Sequence, residues 1–135
     1  MSLSKNYLNT LKSEVLDWEL ADKVLILKEK VLQEIDAGFL RVKITLKNND
    51  ILELSEYVQC TDFGIVVKSY TYHWQNSNGE LKKHWDNARH HFQVSTNPHH
   101  LHDGEESHVT ESDAMNFEKV REIIEEDVEQ CALKN

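Results

Sequence analysis

Three successive stretches of strict alternation, separated by turn chemistry, limit what this chain can fold into more than any other feature. Leu40, Val42, Ile44 and Leu46 alternate with Arg41, Lys43, Thr45 and Lys47. A period of two puts each set on its own face of a β-strand, one apolar and one basic. Asn48-Asn49-Asp50 follows, and these residue types tolerate the left-handed backbone of tight turns. The next stretch carries Leu52, Leu54, Glu56 and Val58 on one side. The third, over residues 65–74, sets Tyr70, Tyr72 and Trp74 against Ser69, Thr71 and His73. Consecutive strands joined by short turns pair antiparallel, so the centre of the fold is a meander.

The turns set the register. A three-residue loop at 48–50 puts Leu52 opposite Leu46 and Leu54 opposite Ile44, which keeps the apolar faces together. A two-residue loop would set Glu53 against Ile44, so the longer loop is expected. Asn78-Gly79 signals a two-residue hairpin turn. Pairing about it places Tyr72 opposite Trp85 on one face, with His73 opposite His84 and Thr71 opposite Asp86 on the other. His73 and Asp86 become diagonal neighbours, roughly 7–8 Å apart at the backbone. Glu56 lands on the apolar side, where a carboxylate must be paired, hydrogen-bonded or protonated. It lies either at the sheet's rim in reach of water or in a site.

Ser4 is placed to cap a short helix with Tyr7, Leu8, Leu11 and Val15 on one side. Residues 20–35 fit a helix through Val24, Leu27, Val31 and Ile35, and a strand through Leu25, Leu27, Val31 and Ile35 nearly as well. A His-rich loop over 86–108 passes through Pro98 and Gly104. An acidic helix within 112–132 closes the chain, with Phe117, Val120, Ile124, Val128 and Cys131 on its buried stripe. The reading is one α+β domain over 1–135 with a sheet core over about 20–90. Its sheet is an antiparallel meander of four or five strands, flanked by an N-terminal and a C-terminal helix.

The net charge of −9 is unevenly spread. Residues 1–102 hold thirteen acids and twelve bases, and residues 103–135 hold eleven acids and three bases, so the acidity sits in the tail. A global basic footprint for nucleic acid is excluded, and any RNA contact must be local. The acidic tail is either a solvated helix face or a docking surface for a basic partner. No apolar run is long enough to span a bilayer, and no secretion signal opens the sequence, so a cytoplasmic location without membrane contact is expected. Cys60 and Cys131 lack a CxxC partner and read as reduced core or surface residues.

All eight histidines lie between His73 and His108. Histidine titrates closest to neutrality and is the commonest metal ligand, so the cluster suits proton transfer or metal binding. Cleaving RNA by acid–base chemistry needs a base for the 2′-hydroxyl, an acid for the leaving 5′-oxygen and positive charge for the phosphorane. His73, His90, His91, His99, His100 and His102 are the acid–base candidates, with His91 and His100 the favoured pair. Asp86 would hold one imidazole in its working tautomer. Arg89, Arg41 and Lys43, with Lys47 beside them, would hold phosphate, and Tyr72 and Trp74 would stack an unpaired base. Glu56, His84 and Asn87 are supporting candidates, Asn87 mainly as a turn-former. A divalent transition metal such as zinc is the alternative to a cofactor-free site, with His90, His91, His99, His100 and His102 as its ligands. The plainest reading is that several of these histidines only tie loop to sheet.

The string Tyr72-His73-Trp74-Gln75, Asn78-Gly79, Trp85-Asp86-Asn87-Ala88-x-His90-His91, Pro98-His99-His100-x-His102 resembles the TumE family of toxin–antitoxin systems. Leu52-x-x-x-Glu56-Tyr57 upstream also fits, and the likeness spans about residues 38–102. The chain departs from the family pattern at three positions. His84 stands in place of arginine, Arg89 in place of proline, and Leu101 in place of a lysine-like residue. The resemblance implies a cytoplasmic toxin encoded beside a helix-turn-helix antitoxin, with RNA as its target. The leading expectation is a metal-independent endoribonuclease. Its rivals are a metal-binding hydrolase using the same histidines, and a non-enzymatic module whose acidic C-terminal helix docks a DNA-binding partner. A homodimer is compatible with each.

Overall fold

The computed structural model describes residues 2–88 and 94–133. Helix α1 (Leu3–Leu16) leads into β1 (Ala21–Leu32), a 3-10 turn (Gln33–Ile35), β2 (Ala37–Leu46), β3 (Ile51–Thr61), β4 (Gly64–Gln75) and β5 (Leu81–Asp86). Two short strands, β6 (His100–Asp103) and β7 (Val109–Glu111), precede helix α2 (Phe117–Leu133). Among the described residues the strands form one sheet in chain order, antiparallel throughout. The α+β meander is as expected, but it has seven strands rather than four or five. Of the two added strands, β6 lies in the segment read as a His-rich loop and β7 just beyond it.

Both helices cover the same face. Leu40, Val42, Ile44, Leu46, Leu52, Leu54, Tyr72, Trp74 and Trp85 pack against Leu8, Leu11 and Val15 of α1 and Phe117, Val120 and Ile124 of α2. Each large side chain removed from water there contributes about 1.5–3 kcal/mol before entropy is counted. Trp18 joins the helices: its ring meets Phe117 edge-on at 5.5 Å, and its Nε1–H donates to Glu125 at 2.9 Å. Gly38 lets α1 sit this close, because a Cβ there would lie 2.8 Å from Leu8 Cδ1.

Several details differ from the sequence expectations. Ser2, not Ser4, caps α1, its Oγ accepting the Lys5 amide at 3.1 Å. Ser4 is buried and donates its hydroxyl to the Asp36 carbonyl at 2.6 Å. The Asp36 carboxylate sits at the helix N-terminus, where its negative charge is favoured. Residues 20–35 are strand as far as Leu32. Helix α2 starts at Phe117, with Asn116 Oδ1 accepting the Lys119 amide, and its buried stripe stops short of Val128, which is half-buried, and Cys131, which is exposed. No helix among the described residues is long and apolar enough to cross a membrane.

Turn chemistry accounts for the register. In the β2–β3 turn Leu46 N–H donates to Asp50 C=O, so the three-residue loop is 47–49, with Asn49 at φ 72°. Ile44 therefore faces Leu52 and Val42 faces Leu54, two residues from the expected register but on the same faces, because the loop length stays odd. At the β4–β5 hairpin the loop is three residues long, between Asn76 and Glu80, with Gly79 at φ 82°. A register shift between Trp74 and Gln75 cancels the offset. The expected pairs Tyr72 with Trp85, His73 with His84 and Thr71 with Asp86 result. Lys82, at that shift, lies over the Trp74 ring at 4.4 Å and pairs with Asp127 of α2 at 2.6 Å.

Candidate functional site

The face of the sheet turned away from the helices carries two polar rows. One runs Lys43, Glu53, His73, His84, His102 across β2 to β6, each residue paired with the next. The other runs Arg41, Ser55, Thr71, Asp86, His100. Neighbouring strands stand about 4.8 Å apart, so the basic residues of β2 lie about 10 Å from the first histidine. Alternation in β2 to β5 produces this placement, since the residues between those of the core must face outward.

Asp86 is the hub. His84 Nε2 lies 3.0 Å from its Oδ2, and His100 Nε2 lies 2.9 Å from its Oδ1. His102 Nε2 is 3.9 Å from Oδ2, and the Ala88 amide donates to Oδ1 at 2.9 Å. Asp86, His100 and His102 are buried, at 7%, 1% and 6% exposure. Burial pushes the Asp86 carboxyl up. The His84 and Ala88 hydrogen bonds and the charges of His100 and His84 outweigh it and hold the carboxyl below its ordinary range.

The bonds also fix tautomers. A carbonyl only accepts, so His100 Nδ1–H donates to Pro98 C=O at 2.9 Å and His102 Nδ1–H donates to Glu106 C=O at 2.7 Å. A carboxylate likewise only accepts, so His84 Nε2–H donates to Asp86. In the neutral ring His84 Nδ1 is then the acceptor from His73 Nδ1–H, 3.0 Å away. His73 Nε2 lies 3.3 Å from Gln75 Oε1, which accepts once that nitrogen gains a proton. Asp86, His84 and His73 thus form a chain from a buried carboxylate to a half-buried imidazole that can take up a proton.

Other site candidates are placed elsewhere. Tyr72 and Trp74, expected to stack bases, are core residues on the helix side and cannot reach RNA. Glu56 is also on that side, 1% exposed, accepting from the Tyr7 and Tyr72 hydroxyls at 2.5 Å each. It is neither at a water-filled rim nor near the histidines. His99 stacks on Tyr70 at 5.8 Å, with its Nδ1 2.8 Å from the phenol oxygen, away from the Asp86 cluster. Asn87 bridges to the Tyr70 amide and the Lys68 carbonyl, a strand-end tie in keeping with its expected turn role. Arg41 is exposed, 3.7 Å from Glu53. Arg89, His90 and His91 lie outside the described residues. Sequence reasoning missed Ser55, whose hydroxyl meets that of Thr71 at 2.6 Å beside Asp86, although alternation in β3 assigns it to this face.

The family model for Toxin TumE matches residues 20–130, well over half of the chain. The chain belongs to the TumE toxin family. The match covers the whole sheet, including both rows of the outer face. Membership in a toxin family brings with it, in general terms, an antitoxin partner. No curated protein and no solved structure is significantly similar to the chain.

Proposed function

We propose that this TumE toxin is a cytoplasmic endoribonuclease that cleaves RNA by imidazole and carboxylate chemistry, without metal at the reacting atoms. The chain from Asp86 through His84 to His73 carries the reading, because it joins a charged orienter to an imidazole at its accessible end. His73 is the base that takes the 2′-hydroxyl proton. His100 was expected to pair with His91 in the chemistry, but at 1% exposure it cannot touch substrate. It positions Asp86 instead, and the acid falls to His90 or His91. Arg41 and Lys43, on the same face, hold the RNA backbone. The neutralising partner is a helix-turn-helix antitoxin.

The test is cleavage of end-labelled cellular RNA by tag-free protein in buffer without added divalent ions, beside His73→Ala and His91→Ala. Cleavage by the unaltered protein and its loss in both variants is the expected result. Equal cleavage by folded variants overturns the site assignment. No cleavage by the folded unaltered protein overturns the nuclease reading in favour of a binding module whose acidic α2 docks its partner.

A further inference from the structure

We infer that Asp86, His100 and His102 form a binding site for one divalent transition-metal ion of the zinc class, clamping β5 to β6. The metal-binding set expected from sequence was different: His99 belongs to Tyr70, and Asp86 was absent from it. One ligand atom from each of Asp86, His100 and His102 lies within 4.8 Å of the others. Two ligand atoms bound to zinc at 2.0–2.1 Å in a tetrahedron sit about 3.4 Å apart. The observed 2.9 and 3.9 Å from the two Nε2 atoms to the carboxylate bracket that spacing.

Two further features favour a metal. Both rings give their Nδ1–H to backbone carbonyls, which leaves each Nε2 as the lone pair in the neutral imidazole. A carbonyl on the far nitrogen is the usual arrangement behind a metal-bound histidine, because it fixes ring orientation and raises basicity. The two histidines alternate along β6 around Leu101, so both rings leave the same face. The donor set of imidazole nitrogen and carboxylate oxygen suits zinc, cobalt or nickel better than calcium or magnesium. Among the described residues, His84, already on Asp86 Oδ2 and edge-on to His102 at 5.5 Å, offers a further imidazole.

The inference does not rest on the RNA-cleavage reading, and its test uses no RNA. Tag-free full-length protein is stripped with chelator and titrated with Co²⁺, following visible absorption and the thermal midpoint. One equivalent is expected to bind, with a cobalt spectrum of low coordination number and a rise in midpoint. A His73→Ala, His108→Ala double variant is expected to bind equally. His100→Ala, His102→Ala is expected to lose about 100-fold or more in affinity. Failure of the folded, unaltered protein to bind Co²⁺ or Zn²⁺ at micromolar concentration would overturn the proposal. Equal binding by the His100, His102 variant would overturn it in favour of adventitious surface histidines. Because the first outcome needs only the unaltered protein, misfolding of a variant cannot rescue the idea.

Discussion

Glu56 and Asp86 are both buried acids of one sheet, Glu56 on the face covered by the helices and Asp86 on the face turned away from them. Their partners differ in kind. Glu56 accepts from two phenols, Tyr7 of α1 and Tyr72 of β4, which lend hydrogen bonds but no positive charge. Burial therefore prevails and pushes its carboxyl up, against the pull of those two bonds. Asp86 has imidazoles, which lend both hydrogen bonds and charge, and its carboxyl is held down despite burial. The contrast separates two uses of one residue class. Glu56 ties a helix to the sheet, and Asp86 starts a chain of titratable groups that ends near solvent.

If that separation is right, activity and stability respond to different faces. His73→Ala is expected to cut RNA cleavage by about 10²–10⁴-fold, the usual worth of a positioned base. Its unfolding free energy should move by about 0.5 kcal/mol or less, as for most half-exposed substitutions. Tyr72→Phe should do the reverse. It removes a hydrogen bond to a buried charged group, at a cost of about 1.5–3 kcal/mol, and leaves the cleavage rate of the folded fraction in place. Urea melts and single-turnover cleavage on the same preparations decide the matter. A Tyr72→Phe protein that is stable but inactive would merge the two faces into one site.

Acid should sharpen the comparison, because the two carboxyls have opposite signs of linkage. Glu56 is raised above its ordinary value of 4.5, so its ionisation costs stability as pH rises through 4.5 toward the folded value, and that cost is absent below 4.5. Asp86 is lowered below 3.8, so its contribution is complete above 3.8 and fades as pH falls through the folded value. The unaltered protein should therefore gain stability relative to Glu56→Gln on acidification toward pH 4. Relative to Asp86→Asn it should lose stability only at still lower pH. Differences in melting midpoint between pH 3 and 7 measure both. Parallel curves for the two pairs would remove the distinction drawn between phenol and imidazole partners.

The legible parts of the fold were those where polarity and burial agree. Strands β2 to β5 alternate cleanly, while the pairing expected of His73 with His84 rested on a two-residue turn and holds with the three-residue one because of the register shift after Trp74. The β2–β3 loop kept its odd length, and at the β4–β5 hairpin a register shift offset the changed one, so the same residues share a face. β6 was illegible for the opposite reason. His100 and His102 are its buried residues while Leu101 is half-buried, so a polarity pattern read as loop is a strand with its polar side covered. The partnership of Tyr7 with Glu56 joins residues 49 positions apart, and no local pattern encodes it. Glu56 could be recognised as needing a partner, but not which one.

The smallest expected effect concerns how RNA would lie on the outer face. Arg41 and Lys43 share its rows with the histidines, yet Glu53 intervenes, paired with Lys43 in register and 3.7 Å from Arg41. An acid between two bases weakens the local field, so these residues can guide a strand but not grip it. Each single-strand phosphate contact contributes about 0.7 to the slope of log affinity against log salt, so Arg41→Ala, Lys43→Ala should flatten it by about 1.4 at most. Binding should weaken several-fold at low salt and hardly at all at high salt, where these contacts are screened. Cleavage of RNA already bound should be unchanged, since neither residue touches the chain from Asp86 to His73. Glu53→Gln should move binding the other way. Filter binding across a salt series checks both variants. Identical slopes throughout would place the RNA path off the β2 side of the sheet, leaving the basic row a consequence of solvation and the histidine rows as the whole of the interface.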